Sequence, residues 1–127
     1  EGWVIVEKRA DGLHVNGRKV ILYLSKRQKN GERLKDYALR EELTGKPVLD
    51  ANILDALLVN LHLIPGDWKK DENGNTLYIF FWGTIYNDSL GYLCVRCLDF
   101  SDGEWRSYCL WLGCGWHGDG PAALLAS

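Results

Sequence analysis

Residues 105–116 read Trp105-Arg106-Ser107-Tyr108-Cys109-Leu110-Trp111-Leu112-Gly113-Cys114-Gly115-Trp116. A β-strand sends successive side chains to opposite faces. Read in that way, Trp105, Ser107, Cys109 and Trp111 share one face, and Arg106, Tyr108 and Leu110 share the other. The first face carries two tryptophans able to anchor a core. The second carries a cation, a phenol and an aliphatic side chain with no chemistry in common. A fixed face backed by an arbitrary one suits a scaffold that displays a binding surface better than it suits a catalytic site.

Working outward, Ser101-Asp102-Gly103 supplies a turn, and the segment 92–100 before it reads as the partner strand. Upstream of a turn at 87–91, residues 77–86 (LYIFFWGTIY) are apolar on both faces, which predicts a central strand. Gly83 inside that run marks a bulge or a close backbone approach. The three segments predict an antiparallel meander. After Leu112 the glycines of GCGWHGDGP predict an exposed loop pinned by Trp116, followed by a short apolar tail, AALLA.

Towards the N-terminus, 3–8 and 19–24 are rich in β-branched and aromatic residues. Asp11-Gly12 and Asn16-Gly17 between them favour tight turns, so a hairpin or two short strands is expected, with His14 an exposed turn residue. A helix is expected over 32–43, with Leu34, Tyr37, Ala38 and Glu41 on one stripe and Gly45 and Pro47 as its stop. A second helix begins at the cap Asp50 and presents Ile53, Leu54, Leu57, Leu58 and Leu61 at helical spacing. Pro65-Gly66 ends it, His62 sits in its last turn, and Trp68 folds back over it. Strands, two helices, then strands predict an α+β domain: an antiparallel β-sheet with two helices.

The 127-residue length suits one domain that buries a core without staples, and 46% hydrophobic with 25% charged residues is the balance of an ordinary globular protein. A net charge of −2 argues against a nucleic-acid partner, whose footprint is a basic patch or stripe. The basic residues Lys26, Arg27, Lys29, Arg33 and Lys35 are diluted by nearby acids and read as a solvated face. No apolar run approaches membrane-spanning length. Six Trp and six Tyr cluster late in the chain; such side chains are over-represented at binding surfaces.

The segments GKPVLDANILDALL, LIPGDWK, FWGTIY and WLGCGWHGDGPAALLAS resemble small bacterial proteins that serve as the variable target proteins of diversity-generating retroelements. The resemblance covers residues 36–127. It implies that a reverse transcriptase copies a template with errors at adenines and overwrites the 3′ end of the gene. Codons rich in adenine then diversify, while the Trp codon TGG holds. Trp105, Trp111, Trp116 and the closing PAALLAS fit that scheme; Phe100 and Ser107 depart from it, standing where the pattern has Trp. By the resemblance, Tyr92, Cys94, Cys97, Asp99, Arg106, Tyr108, Cys109, Leu110, Cys114, His117 and Asp119 are diversified positions. It also implies a scaffold of C-type-lectin-like form. The chain divides accordingly into an N-terminal hairpin and two-helix scaffold (1–77) and a β-meander with a C-terminal variable region (78–127).

Competing chemistries are weaker. Cys94-Val95-Arg96-Cys97 with Cys109, Cys114 or His117 could furnish a zinc-stabilised protein- or nucleic-acid-binding module, since a CxxC with further sulfurs is a zinc pattern. Against it, CVRC sits mid-strand with no glycine turn to fold the pair around a metal. Cys114, His117 and Asp119 contain the residue types of a nucleophilic triad but lie on one glycine-rich loop, which rarely holds such geometry. GCGWHGDG lacks the Lys and the following helix of a phosphate-cradling loop. The expectation is therefore a non-enzymatic binding domain without cofactor, whose partner is a protein or a glycan. Its ligand-contacting residues would be Tyr92, Cys94, Cys97, Asp99, Phe100, Arg106, Tyr108, Leu110, Cys114, His117 and Asp119.

Overall fold

A computed structural model describes residues 4–29, 38–112 and 120–126, and for Lys26 and Arg27 the backbone alone. Among these residues eight strands form one mostly antiparallel sheet: β1 (Val6–Arg9), β2 (Gly12–Val15), β3 (Arg18–Tyr23), β4 (Ile79–Phe80), β5 (Tyr86–Asn87), β6 (Leu93–Ser101), β7 (Glu104–Trp111) and β8 (Ala122–Leu125). The single helical turn α1 (Lys26–Lys29) and the helices α2 (Ala38–Leu43) and α3 (Ala51–Val59) complete the α+β fold.

The N-terminal segment holds one strand more than the sequence suggests. β1 and β2 pair from Val6↔Val15 to Arg9↔Gly12, leaving Ala10-Asp11 as the turn. β2 then meets β3 across Asn16 (φ 51°) and Gly17 (φ 82°), the left-handed pair that a two-residue hairpin requires. His14 lies in β2 and is buried at 6% exposure, which corrects its reading as an exposed turn residue. The intervening strand is only four residues long, too short to show an alternation of its own.

The larger correction concerns the C-terminus. AALLA is not a tail: β8 runs through the middle of the sheet, antiparallel to β3 and parallel to β4. Its small residues allow this, because Ala122 and Ala123, at 2% and 0% exposure, let layers approach on both faces. Strand β8 thereby joins the N-terminal strands to the meander in one sheet.

The sheet is covered on both faces. One face packs Val20, Ile79, Phe81, Leu98 and Ala123 with Ile53, Leu54 and Leu57 of α3 and with Trp68. The other packs Phe80, Trp82, Val95, Cys97, Ala122 and Leu124 with Leu39 and Leu43 of α2. The alternation Ile79/Phe81 against Phe80/Trp82 explains why this run is apolar throughout. In α2 the buried stripe is Leu39 and Leu43, four apart; Glu41 is exposed and does not share it. Leu34 and Tyr37 lie outside the described residues.

Helix α3 begins as its sequence dictates. Asp50 accepts from the amides of Asn52 (3.1 Å) and Ile53 (3.2 Å), capping two otherwise orphaned donors. The helix ends at Val59, and Leu61–Leu63 form a separate 3-10 turn that leaves Leu61 49% exposed and His62 at the surface. Trp68 is 5% exposed and packs in the same cluster as α3.

The run 77–86 is not one continuous strand. β4 and β5 are separated by a turn in which Gly83 meets the start of α3. The Gly83 amide donates to the Leu49 carbonyl at 2.9 Å, and the Ala51 amide donates to Thr84 Oγ1 at 3.0 Å. A Cβ on Gly83 would lie 2.9 Å from the backbone N and Cα of Asp50. Gly83 thus marks a close backbone approach. Gly83→Ala should destabilise the fold by roughly 1–3 kcal/mol, as overpacking does. Gly66→Ala, whose added Cβ meets nothing within 4 Å, should change stability by less than about 0.5 kcal/mol. Equal effects of the two substitutions in denaturant unfolding would contradict this packing.

Candidate functional site

The hairpin of β6 and β7 carries every described candidate residue except Tyr92, which immediately precedes it. Asp102 (φ 52°) and Gly103 (φ 80°) close the hairpin, and register runs unbroken from Ser101↔Glu104 to Cys94↔Trp111. At the other end Asp88 fixes the approach to β6, its Oδ1 accepting from the amides of Leu90 (2.9 Å) and Tyr92 (3.0 Å). Among the described residues β6 is the only strand beside β7, so β7 lies at the rim of the sheet.

This placement divides the candidates by depth. Cys94, Cys97 and Asp99 on β6 are buried, at 5%, 0% and 2% exposure. Tyr92 (55%) and Tyr108 (46%) are exposed, and so are Arg106 and Cys109 on the rim. Phe100 and Leu110 are half-buried. Cys114, His117 and Asp119, with Trp116, lie outside the described residues.

It also divides them by face. Register puts Cys94, Phe100, Trp105, Ser107, Cys109 and Trp111 on the side of α3. Cys97, Asp99, Arg106, Tyr108 and Leu110 lie on the side of α2. The alternation read from residues 105–111 therefore holds, but the core-anchoring role assigned to the tryptophan face holds for Trp105 and not for Trp111. Trp105 packs against the α3-side core, edge-on to Phe100 with ring centroids 5.1 Å apart. Trp111 is 48% exposed and no core anchor. It is stacked at 5.1 Å and 31° on Tyr92, and the 74%-exposed Leu90 lies in the adjoining turn. Leu110, in contrast, packs partly against the α2-side core.

Sequence reading missed three neighbours of these residues. Tyr78 sits edge-on to Tyr108, centroids 6.3 Å apart. On the opposite face Arg96 donates to Asp55 Oδ1 at 2.8 Å, tying β6 to α3, and to Ser107 Oγ at 3.3 Å. Lys69 Nζ lies 4.2 Å from the Phe100 ring centroid. All three link segments far apart in the chain, so no local pattern announces them.

The cysteines do not converge. Three residues apart on a strand, Cys94 and Cys97 point to opposite faces, so the CVRC pair cannot close on one ion while β6 is intact. Cys94, Cys97 and Cys109 are free thiols. Burial, the Cys109 sulfur beside it and Asp88 push the Cys94 thiol up. Burial pushes Cys97 up to about 12. Among the described residues no group of three or more His, Cys, Asp or Glu is placed to hold a metal.

No family model, curated protein or solved structure matches the chain. No described helix is long and apolar enough to cross a membrane.

Thiolates, not thiols, react with alkylating agents, so a raised pKa and burial both slow the reaction. At pH 8, iodoacetamide should modify Cys109 in the native protein and leave Cys97 unmodified until denaturant is added, as peptide mass mapping would show. Equal native rates at the two would place Cys97 at the surface and contradict the described register.

Proposed function

We propose that the chain is a non-enzymatic ligand-binding domain that displays a hypervariable surface generated by a diversity-generating retroelement, on a C-type-lectin-like scaffold. The observation that carries this reading is the position of β7: a rim strand whose Arg106, Tyr108, Cys109 and Trp111 reach solvent while its partner β6 is buried. The solvent-facing residues of such a strand can change without disturbing the core that holds it.

The physical logic is pre-organisation. Strand β6 is fixed on both faces, and the tight Asp102-Gly103 turn fixes β7 to it, so little order remains to be lost when a ligand docks. Tyr92 and Trp111 then form an exposed aromatic pair of the type that supplies contact area at low entropic cost. Trp111, encoded by an adenine-free codon in the scheme above, would be a constant adhesive element among changing neighbours. Arg106 and Tyr108 add polar complementarity on the other side of the rim. A protein or a glycan can engage such a surface; both offer apolar patches for stacking and polar groups for the rim.

Population sequencing of the 3′ end of the gene, in many isolates, tests the reading. Substitutions should concentrate at Tyr92, Arg106, Tyr108 and the other diversified positions, with Trp105, Trp111 and Trp116 invariant. An Arg106→Ala, Tyr108→Ala, Leu110→Ala triple variant should meanwhile keep cooperative unfolding. Variation spread evenly along the gene, or loss of cooperativity in the triple variant, would contradict it.

A further inference from the structure

Asp99 is a buried carboxylate at 2% exposure, and among the described residues no hydrogen-bond donor reaches its Oδ1. A carboxylate removed from water without a partner is costly. A cation stands directly across the ladder, because Arg106 is the register partner of Asp99. Arg106 nevertheless turns its Nη2 to Glu104 (3.3 Å) and Asp102 (3.5 Å).

The walls around this carboxylate are aromatic. Tyr108 shares its face and flanks Cys97 in register. Tyr78 precedes β4, whose Ile79 pairs with Leu98, which places Tyr78 beside Asp99 on that face. The two tyrosine rings lie edge to face, 70° apart in plane. Burial, followed by the neighbouring Cys97, Asp99 and Tyr78, pushes the Tyr108 phenol up. Tyr108 is 46% exposed, so this aromatic wall borders solvent.

We propose that Asp99, Tyr78 and Tyr108 form a binding subsite for an alkylammonium group, whose N–H donors reach Asp99 Oδ1 and whose charge and methylenes lie against the two rings. The chemistry selects this class. A hard metal ion needs several oxygen ligands, and no such group of side chains stands here among the described residues. An ammonium is a compact point donor that needs one acceptor oxygen, and Oδ1 is the buried oxygen that no described donor reaches. The subsite deepens the display reading by naming what one part of the surface takes up. It rests on that surface being a binding surface, not on how its residues arose.

Calorimetric titration of the full chain with n-butylammonium chloride, n-butanol and an acetyl-Gly-Lys-Gly-amide peptide tests the proposal, in the native protein and in Asp99→Asn and Tyr108→Leu. Butylammonium should bind saturably and butanol should not. Asp99→Asn should weaken binding about tenfold or more, the effect of losing one charge-assisted hydrogen bond. Its melting temperature without ligand should be equal or higher, since a charge without a partner has been removed; a structural role for Asp99 would lower it. Tighter binding of the lysine peptide than of butylammonium assigns the site to a protein side chain, and equal affinities assign it to a free amine. Absence of saturable binding in the native protein, or undiminished binding in Asp99→Asn, overturns the subsite. Should Asp99→Asn not fold, Tyr108→Leu decides by the same criterion. Failure here with population variation as expected would remove the subsite alone and leave the display reading standing.

Discussion

The insertion of β8 between β3 and β4 is the constraint on which the rest of the structure depends. Four residues pair with β3 from Val20↔Leu125 to Tyr23↔Ala122, and Phe80↔Ala122 joins the strand to β4. The Leu49 amide donates to the Ala123 carbonyl and the Leu125 amide to the Pro47 carbonyl, so the lead-in to α3 is held by the same strand. Gln28, 2% exposed, reciprocally caps α1 with Ser25 and donates to the Gly120 carbonyl just ahead of β8. The first and last portions of the chain are therefore interdependent. Without β8 the N-terminal strands would present an open edge and the meander would lose its neighbour.

That arrangement explains how a strand with mixed chemistry can be tolerated at the far rim. The order β3, β8, β4, β6, β7 places the best-buried strands between two cores and leaves β7 last. Burial falls across the hairpin, from 0% exposure at Val95, Cys97 and Leu98 on β6 to nearly half at Tyr108 and Trp111 on β7. Changes at Arg106 or Tyr108 act on solvent-facing surface. Changes at Cys97 or Asp99 act on packing or on the buried charge. The candidate residues thus form two layers with different consequences, one at the surface and one beneath it.

The sequence made the class of the fold legible, together with the features set by local chemistry. Asp50 capping α3, the turns at Asn16-Gly17 and Asp102-Gly103, and the close approach at Gly83 follow from residue types that few other conformations accommodate. The errors arose where tertiary context decides. AALLA shows no alternation because it is buried on both faces, and so resembles a loose apolar end as much as a central strand. His14 sits in a strand too short to declare itself. Trp111 looks like a core anchor because tryptophan is large and apolar; only its place on the rim strand exposes it. At the site, the period of two assigned each side chain to its face correctly but carried no information on which strand would be the edge. The distant neighbours Tyr78 and Asp55 were illegible for the same reason.

Residue-resolved hydrogen exchange on the native protein tests the central claim, a rigid sheet locked by β8 with β7 as its displayed rim. The amides of β8 and β6 should exchange only with global unfolding, sharing one free energy, while β7 amides directed away from β6 exchange orders of magnitude faster. Fast exchange throughout Ala122–Leu125, or β7 protected as fully as β6 along both of its edges, would contradict the account.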